Sequence, residues 1–349
     1  MYSDEELDAA VSAGILSDQN VAGFRDFVAT RRGHIDAPEH ERFRLLTGFN
    51  DIFVSVCCGL ILAAAAYLGG RAHPALGGLA VAAISWGLAE YFTRRLHLSL
   101  SSIVLLIGFA GGTLVAGLTG LFDLLGLEQA RIQNMADAAG AIAGATVLAG
   151  VGAYAHWRRF MVPITVAAGS AIAIAAVAAL AVLAVPSLRD SLRVVVLIGG
   201  LVMFAIAMRW DSQDRARNTR RSDVAFWLHL SASPMIIHPV FSWVGANGAV
   251  QMVSPGLALA TCIGTYLVIA LVSLAIDRRA MLVSALAYVL YAMGQLFAMA
   301  GTAKEMNMAL AALVIGSGLL LLSTQWEAAR RLLVPHLPGG MREMLPVAR

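Results

Sequence analysis

Charge is scarce in this chain. Only 13% of its 349 residues are Asp, Glu, Lys or Arg, against roughly a quarter in soluble domains. Cysteine is scarcer still: Cys57, Cys58 and Cys262 are the whole complement, and they have neither zinc-site spacing nor the pattern of a disulfide framework. They read as small apolar fillers. Also missing are a Walker loop, an HExxH pair, a GxSxG elbow and a dinucleotide fingerprint, which makes an enzyme the least favoured class. No cofactor and no metal are expected. The chain opens on Asp4, Glu5 and Glu6 where a cleavable signal would have a basic segment and then an apolar core, so the first span is expected to act as the insertion signal.

What the chain has instead is apolar length. Hydrophobic residues make up 59% and the mean hydropathy is +0.74. They come in unbroken blocks, where a soluble chain would alternate them with polar residues at helix or strand period. Crossing a hydrocarbon core of ~30 Å takes about 20 apolar residues of helix. Only helices or a closed barrel satisfy every backbone group in lipid, and barrel strands alternate in hydrophobicity. The expected fold is therefore all-α, a polytopic transmembrane bundle of about ten spans. They fall at residues 49–68, 74–92, 98–121, 138–154, 161–185, 192–208, 224–244, 255–276, 280–300 and 306–322. This divides the chain into a leader (1–48), a transmembrane domain (49–325) and an amphipathic tail (326–349) that reads as a surface-lying segment broken by Pro335 and Pro338.

Cytoplasmic loops collect Lys and Arg, so the charges between spans test the count. One side receives twenty of the 25 basic residues, among them Arg94, Arg95, Arg158, Arg159, Arg278, Arg279 and the five arginines from Arg209 to Arg221. The other receives Arg71, Arg131, Arg189, Arg193 and Lys304. An N-in, C-in protein of a bacterial inner membrane is expected. The net charge of +3 reflects this bias and is no sign of nucleic-acid binding. The loop RWDSQDRARNTRRSD suits anionic lipid headgroups.

The leader reads as a helical hairpin. Ser3 and Glu6 form a capping box, Leu7, Ala10 and Val11 an apolar stripe, and Gly14 a helix end; a second helix starts at Ser17 and carries Val21, Phe24 and Val28. Nine acids against five arginines argue against DNA. So small a unit needs support, from a partner copy, another membrane-complex protein or the membrane face. The leader text ELDAAVSAGILSDQNVAGFRDFVATRR, with HWRRFMVPITVA and SDVAFWLHLSASPMIIHPVF further on, resembles a large group of uncharacterised polytopic bacterial membrane proteins, chiefly proteobacterial. The resemblance implies a location and no known reaction.

The most polar span is the seventh. It holds His229, Ser233, His238 and Ser242 together with Pro234 and Pro239. Each interior proline removes a backbone donor, so the carbonyls of Leu230 and Met235 lose their usual partners and a kinked or broken helix is expected. Such breaks build binding sites in transporters. The histidines are nine residues apart, about 13 Å of rise and half a turn out of phase, too far to share one ion in an unbroken helix. Each has a serine four residues later to hold it. In the ninth span Ser284, Tyr288, Tyr291 and Gln295 share one face. These eight residues form a candidate polar pathway, as proton relay or ligand contact; the plainer alternative is interhelical hydrogen bonding.

Apart from Asp51 and Glu90 near span ends, the latter with Arg94 as partner, no carboxylate falls within these spans and no Lys or Arg lies deep. That weakens an ion-coupled carrier without removing it. Gly108 and Gly112, and Gly140 and Gly144, have GxxxG spacing, which supports close helix packing and hints at a homodimer. Two functions follow. One is transport or permeation of a small molecule or ion beside the seventh span. The alternative is a non-catalytic assembly or regulatory subunit that docks partners through its leader.

Overall fold

The computed structural model describes residues 7, 10–24, 49–127, 138–214, 219–244, 255–299 and 304–345, with the backbone alone at 244, 255–259, 280, 295, 296, 298, 299, 304, 305, 341, 343 and 344. Met1–Leu45 and Leu46–Arg349 are two compact units. In the first, a short helix ends at Gly14, whose φ of +69° is easy only for glycine. Residues 18–24 form the next helix, and Ser17 Oγ accepts from the Asn20 N–H at 3.2 Å as its cap. Ser3, Glu6, Val28 and the arginines at 31 and 32 lie outside the described residues.

The second unit is an all-α bundle. Its helices are α1 (Phe49–Ala72), α2 (Pro74–Phe92), α3 (Ser99–Leu124), α4 (Ala139–Phe160), α5 (Pro163–Ala184), α6 (Leu192–Ser212), α7 (Arg220–Val244), α8 (Pro255–Ile276), α9 (Ala280–Met299), α10 (Lys304–Thr324), α11 (Trp326–Leu333) and α12 (Gly339–Met344). Each expected span falls on one of α1 to α10. Eight of these helices are long and apolar enough to cross a membrane over their described residues; α8 and α9 contribute the shorter apolar stretches Ala260–Ile276 and Met281–Gly294. The chain is a multi-pass membrane protein.

Local chemistry sets the boundaries. Proline opens α2 and α5, where its missing N–H costs nothing. After α3, Gly126 turns left-handed at φ +64°, and the Leu127 N–H returns to the Phe122 carbonyl at 2.9 Å, a Schellman ending. The start of α3 has Leu98 as its cap residue, which offers no side-chain bond. Asp51 of α1 supplies one from across the bundle: fully buried, it accepts from the Leu100 and Ser101 N–H groups at 3.0 Å each and from Ser101 Oγ at 2.8 Å.

Consecutive helices pack as neighbours, α2 on α3 and α6 on α7 most extensively, while α7 also lies against α5 and α9. Tandem glycines make the closest approaches. A Cβ on Gly78 would stand 2.7 Å from the Gly112 carbonyl, and one on Gly200 2.9 Å from Met235 and Ile236 side chains. Gly112 is thus used for packing within the chain.

Two expectations are corrected. Of the kink or break expected in α7, the break does not occur: one helix runs through Pro234 and Pro239. The tail does not simply lie on a surface: Trp326 and Arg330 of α11 are buried, and Leu345 joins a core with Ile237, Phe241 and Met281. The breaks do fall near the prolines, Pro335 within a 3₁₀ turn and Pro338 capping α12.

Candidate functional site

Helix α6 continues one turn beyond its apolar span, and that turn carries Asp211. The carboxylate is 1% exposed. Arg278, in the turn between α8 and α9 and also 1% exposed, grips it with two nitrogens: Nη2 donates to Oδ1 at 2.5 Å and Nε to Oδ2 at 3.2 Å. Nη2 also reaches the Ser222 carbonyl at 3.3 Å. From α7 the fully buried His229 places Nε2 3.2 Å from Asp211 Oδ2, so the carboxylate selects the tautomer with the proton on Nε2. The Phe204 ring stands edge-on to the imidazole at 5.1 Å. An isolated buried charge would be expelled or neutralised; a two-pronged arginine–carboxylate pair cancels the charge and satisfies both groups.

This cluster lies at helix ends, Asp211 three residues past the expected span 192–208 and Arg278 between the expected spans 255–276 and 280–300, so it adds a buried ion pair that the charges between spans do not reveal. Asp211 was hidden because hydropathy ends α6 at Met208, which assigns the next residues to a loop. Arg278 was hidden by being counted as a loop cation. The whole turn is structural: Asp277, left-handed at φ +58°, accepts from Trp326 Nε1 at 2.7 Å, Arg330 Nη1 lies 3.4 Å from its other oxygen, and the Arg279 guanidinium sits 4.8 Å over the Trp326 ring. Glu90 pairs with Arg94 at 3.3 Å as expected, but its two-pronged partner is Arg159, at 2.6 and 2.9 Å.

The predicted pathway residues separate into two places. His229 belongs to the charge cluster. His238, on the opposite side of α7, is exposed and hydrogen-bonds through Nδ1 to the Tyr288 hydroxyl of α9; Tyr288 stacks on Phe241 at 4.7 Å. Neither serine holds a histidine ring. Ser233 Oγ donates to the His229 carbonyl at 2.6 Å and Ser242 Oγ to the Pro239 carbonyl at 2.7 Å, so both bond back to the backbone of their own helix. Ser284 is half-buried on α9. Tyr291 is 52% exposed, and the side chain of Gln295 lies outside the described residues. Among the described residues no group of three or more His, Cys, Asp or Glu is placed to hold a metal ion.

No protein-family model, curated protein or solved structure matches the chain.

Proposed function

We propose that this membrane protein carries or admits a small molecule or ion along α7 and α9, with His238 and Tyr288 as its polar contacts. The observation that carries the reading is an exposed, hydrogen-bonded His–Tyr pair between two membrane helices. Ionisable groups in such positions are costly in hydrocarbon and are kept where they meet water or a ligand. The buried Asp211–Arg278–His229 cluster, on the opposite side of α7, anchors that helix to α6 and to the α8–α9 turn, which leaves His238 as the group free to act. The setting we propose is a bacterial inner membrane, both termini cytoplasmic, as the arginine asymmetry favours.

Vesicles containing the purified protein and a trapped pH-sensitive dye test it. An imposed pH gradient should collapse faster than in protein-free vesicles, and parallel vesicles should swell faster in small polar solutes. His238→Ala should abolish both gains while the protein still folds. Wild-type vesicles no leakier than empty ones, or unchanged rates in the variant, would overturn the proposal.

A second reading, partner docking through the leader, is favoured by Ile15 and Phe24, which are 76% and 45% exposed. Deleting residues 1–33 should then strip away proteins that co-purify with the full chain. An unchanged set would count against it.

A further inference from the structure

Two cavities open along one face of α3, at the end of the bundle away from the α2–α3 and α6–α7 turns. The first, about 430 Å³, is an apolar groove among α1, α2 and α3, lined by Gly70, Gly77, Gly111 and Val115 among others. The second, about 550 Å³, is the polar mouth, lined by His73, Thr119, Phe122 and Asp123. Pro74 borders both. On α3 the lining positions 108, 111, 115, 119 and 122 recur at helical spacing, so groove and mouth are one continuous feature. At 1.5 Å per residue it follows about 21 Å of helix, enough to cross the ~15 Å of one leaflet of a ~30 Å hydrocarbon core and reach its headgroups.

The glycines of this face do two different jobs. Gly78 and Gly112 are packing residues, since a Cβ on either would meet backbone within 2.8 Å. Gly70 and Gly111 are not: a Cβ there would meet nothing within 4 Å. What those two glycines do is keep the groove open. At its inner end Ser85 is fully buried with no hydrogen-bond partner for its hydroxyl, and that hydroxyl lies 2.5 Å from where Gly108, a lining residue, would carry a Cβ.

The mouth has a defined polarity. His73 Nδ1 accepts from the Ala75 N–H at 3.2 Å, capping α2, so the proton sits on Nε2, 3.0 Å from Asp123 Oδ2. A metal ion on Nε2 would force the proton onto Nδ1, against the Ala75 N–H, so the pair does not suit a metal. Asp123 spends one carboxylate oxygen on His73 and keeps the other. A carboxylate beside an aromatic ring, Phe122, suits an ammonium group.

We propose that this groove binds one membrane lipid with a primary-amine headgroup, its ammonium on Asp123 and one of its chains along the Gly70 and Gly111 face. The site uses none of the residues assigned to permeation.

Native mass spectrometry of the full chain, stripped of lipid and then offered equal amounts of phosphatidylethanolamine, phosphatidylglycerol and phosphatidylcholine, tests it. The wild type should retain phosphatidylethanolamine over the other two by about tenfold, the factor expected of one charge-assisted hydrogen bond. Asp123→Asn should remove the preference, and Gly111→Leu should reduce retention of all three while leaving the unfolding temperature unchanged. Should Gly111→Leu fail to fold, Gly70→Leu fills the same groove. Equal retention of the three lipids by the wild type, or undiminished retention in the groove-filling variant, would overturn the inference.

Discussion

Asp51, Glu90 and Asp211 are acids at helix ends, and each is answered differently. Asp51 is held by the backbone N–H groups that open α3. Glu90 stays partly exposed between Arg94 and Arg159, where solvent screens the attraction. Asp211 is the one sealed in with an arginine and a histidine, and the difference in burial decides the energetics. Removing one partner of a buried pair leaves an uncompensated charge and costs about 3–5 kcal/mol. Arg278→Met is therefore expected to lower unfolding stability in detergent by that amount, and Arg94→Met by far less. Equal losses would show that Asp211 is hydrated and that the cluster is not sealed. The same comparison bears on His229: as a partner of Asp211 its replacement should destabilise the bundle, which is why His238 is the cleaner probe of permeation.

At the scale of the element, glycine is the informative residue. In a helix interior Gly→Ala ordinarily stabilises by up to ~1 kcal/mol. Gly87 of α2 has nothing within 4 Å of an added Cβ, whereas on Gly78, in the same helix, that atom would sit 2.6 Å from the Ala116 backbone. Gly87→Ala should thus be neutral or slightly stabilising, and Gly78→Ala destabilising by about 1–3 kcal/mol as α2 and α3 are pushed apart; thermal unfolding in detergent separates the signs. The spans themselves were legible from the sequence because hydrophobic runs of this length have one structural solution in lipid. The ends were not, since hydropathy stops where charge begins, yet α6 goes on through Arg209, Trp210 and Asp211. Nor was the continuity of α7: removing two backbone donors argues for a kink or a break, yet Arg220–Val244 remains one helix. GxxxG spacing pointed to Gly112 correctly and missed the tandem Gly77–Gly78 and Gly199–Gly200, because nothing in a single sequence says which glycine another backbone approaches.

At the scale of the whole molecule, the turn Asp277–Arg278–Arg279 is a junction. Asp277 and Arg279 hold the tail through Trp326, and Arg278 holds α6. Counting all of these arginines as loop cations overstates the asymmetry, since Arg278 is buried and neutralised and cannot respond to lipid headgroups. The inference of sidedness survives that subtraction because the remaining positive charge still gathers at one end of the bundle, at Arg94, Arg95, Arg158 and Arg159 and around the α6–α7 turn, against a few isolated cations at the other. It makes a direct prediction. Replace the three native cysteines and introduce one cysteine at a time, at Gln213 in the α6–α7 turn, which is exposed, or at Ser187 in the 3₁₀ turn between α5 and α6, also exposed. In intact cells a membrane-impermeant maleimide should label the Ser187→Cys protein and leave Gln213→Cys unlabelled until the membrane is opened. The reverse pattern would invert the topology, and with it the leaflet in which the amine-lipid groove opens; labelling of both in intact cells would mean that the two turns share a side, which an odd number of crossings between them forbids.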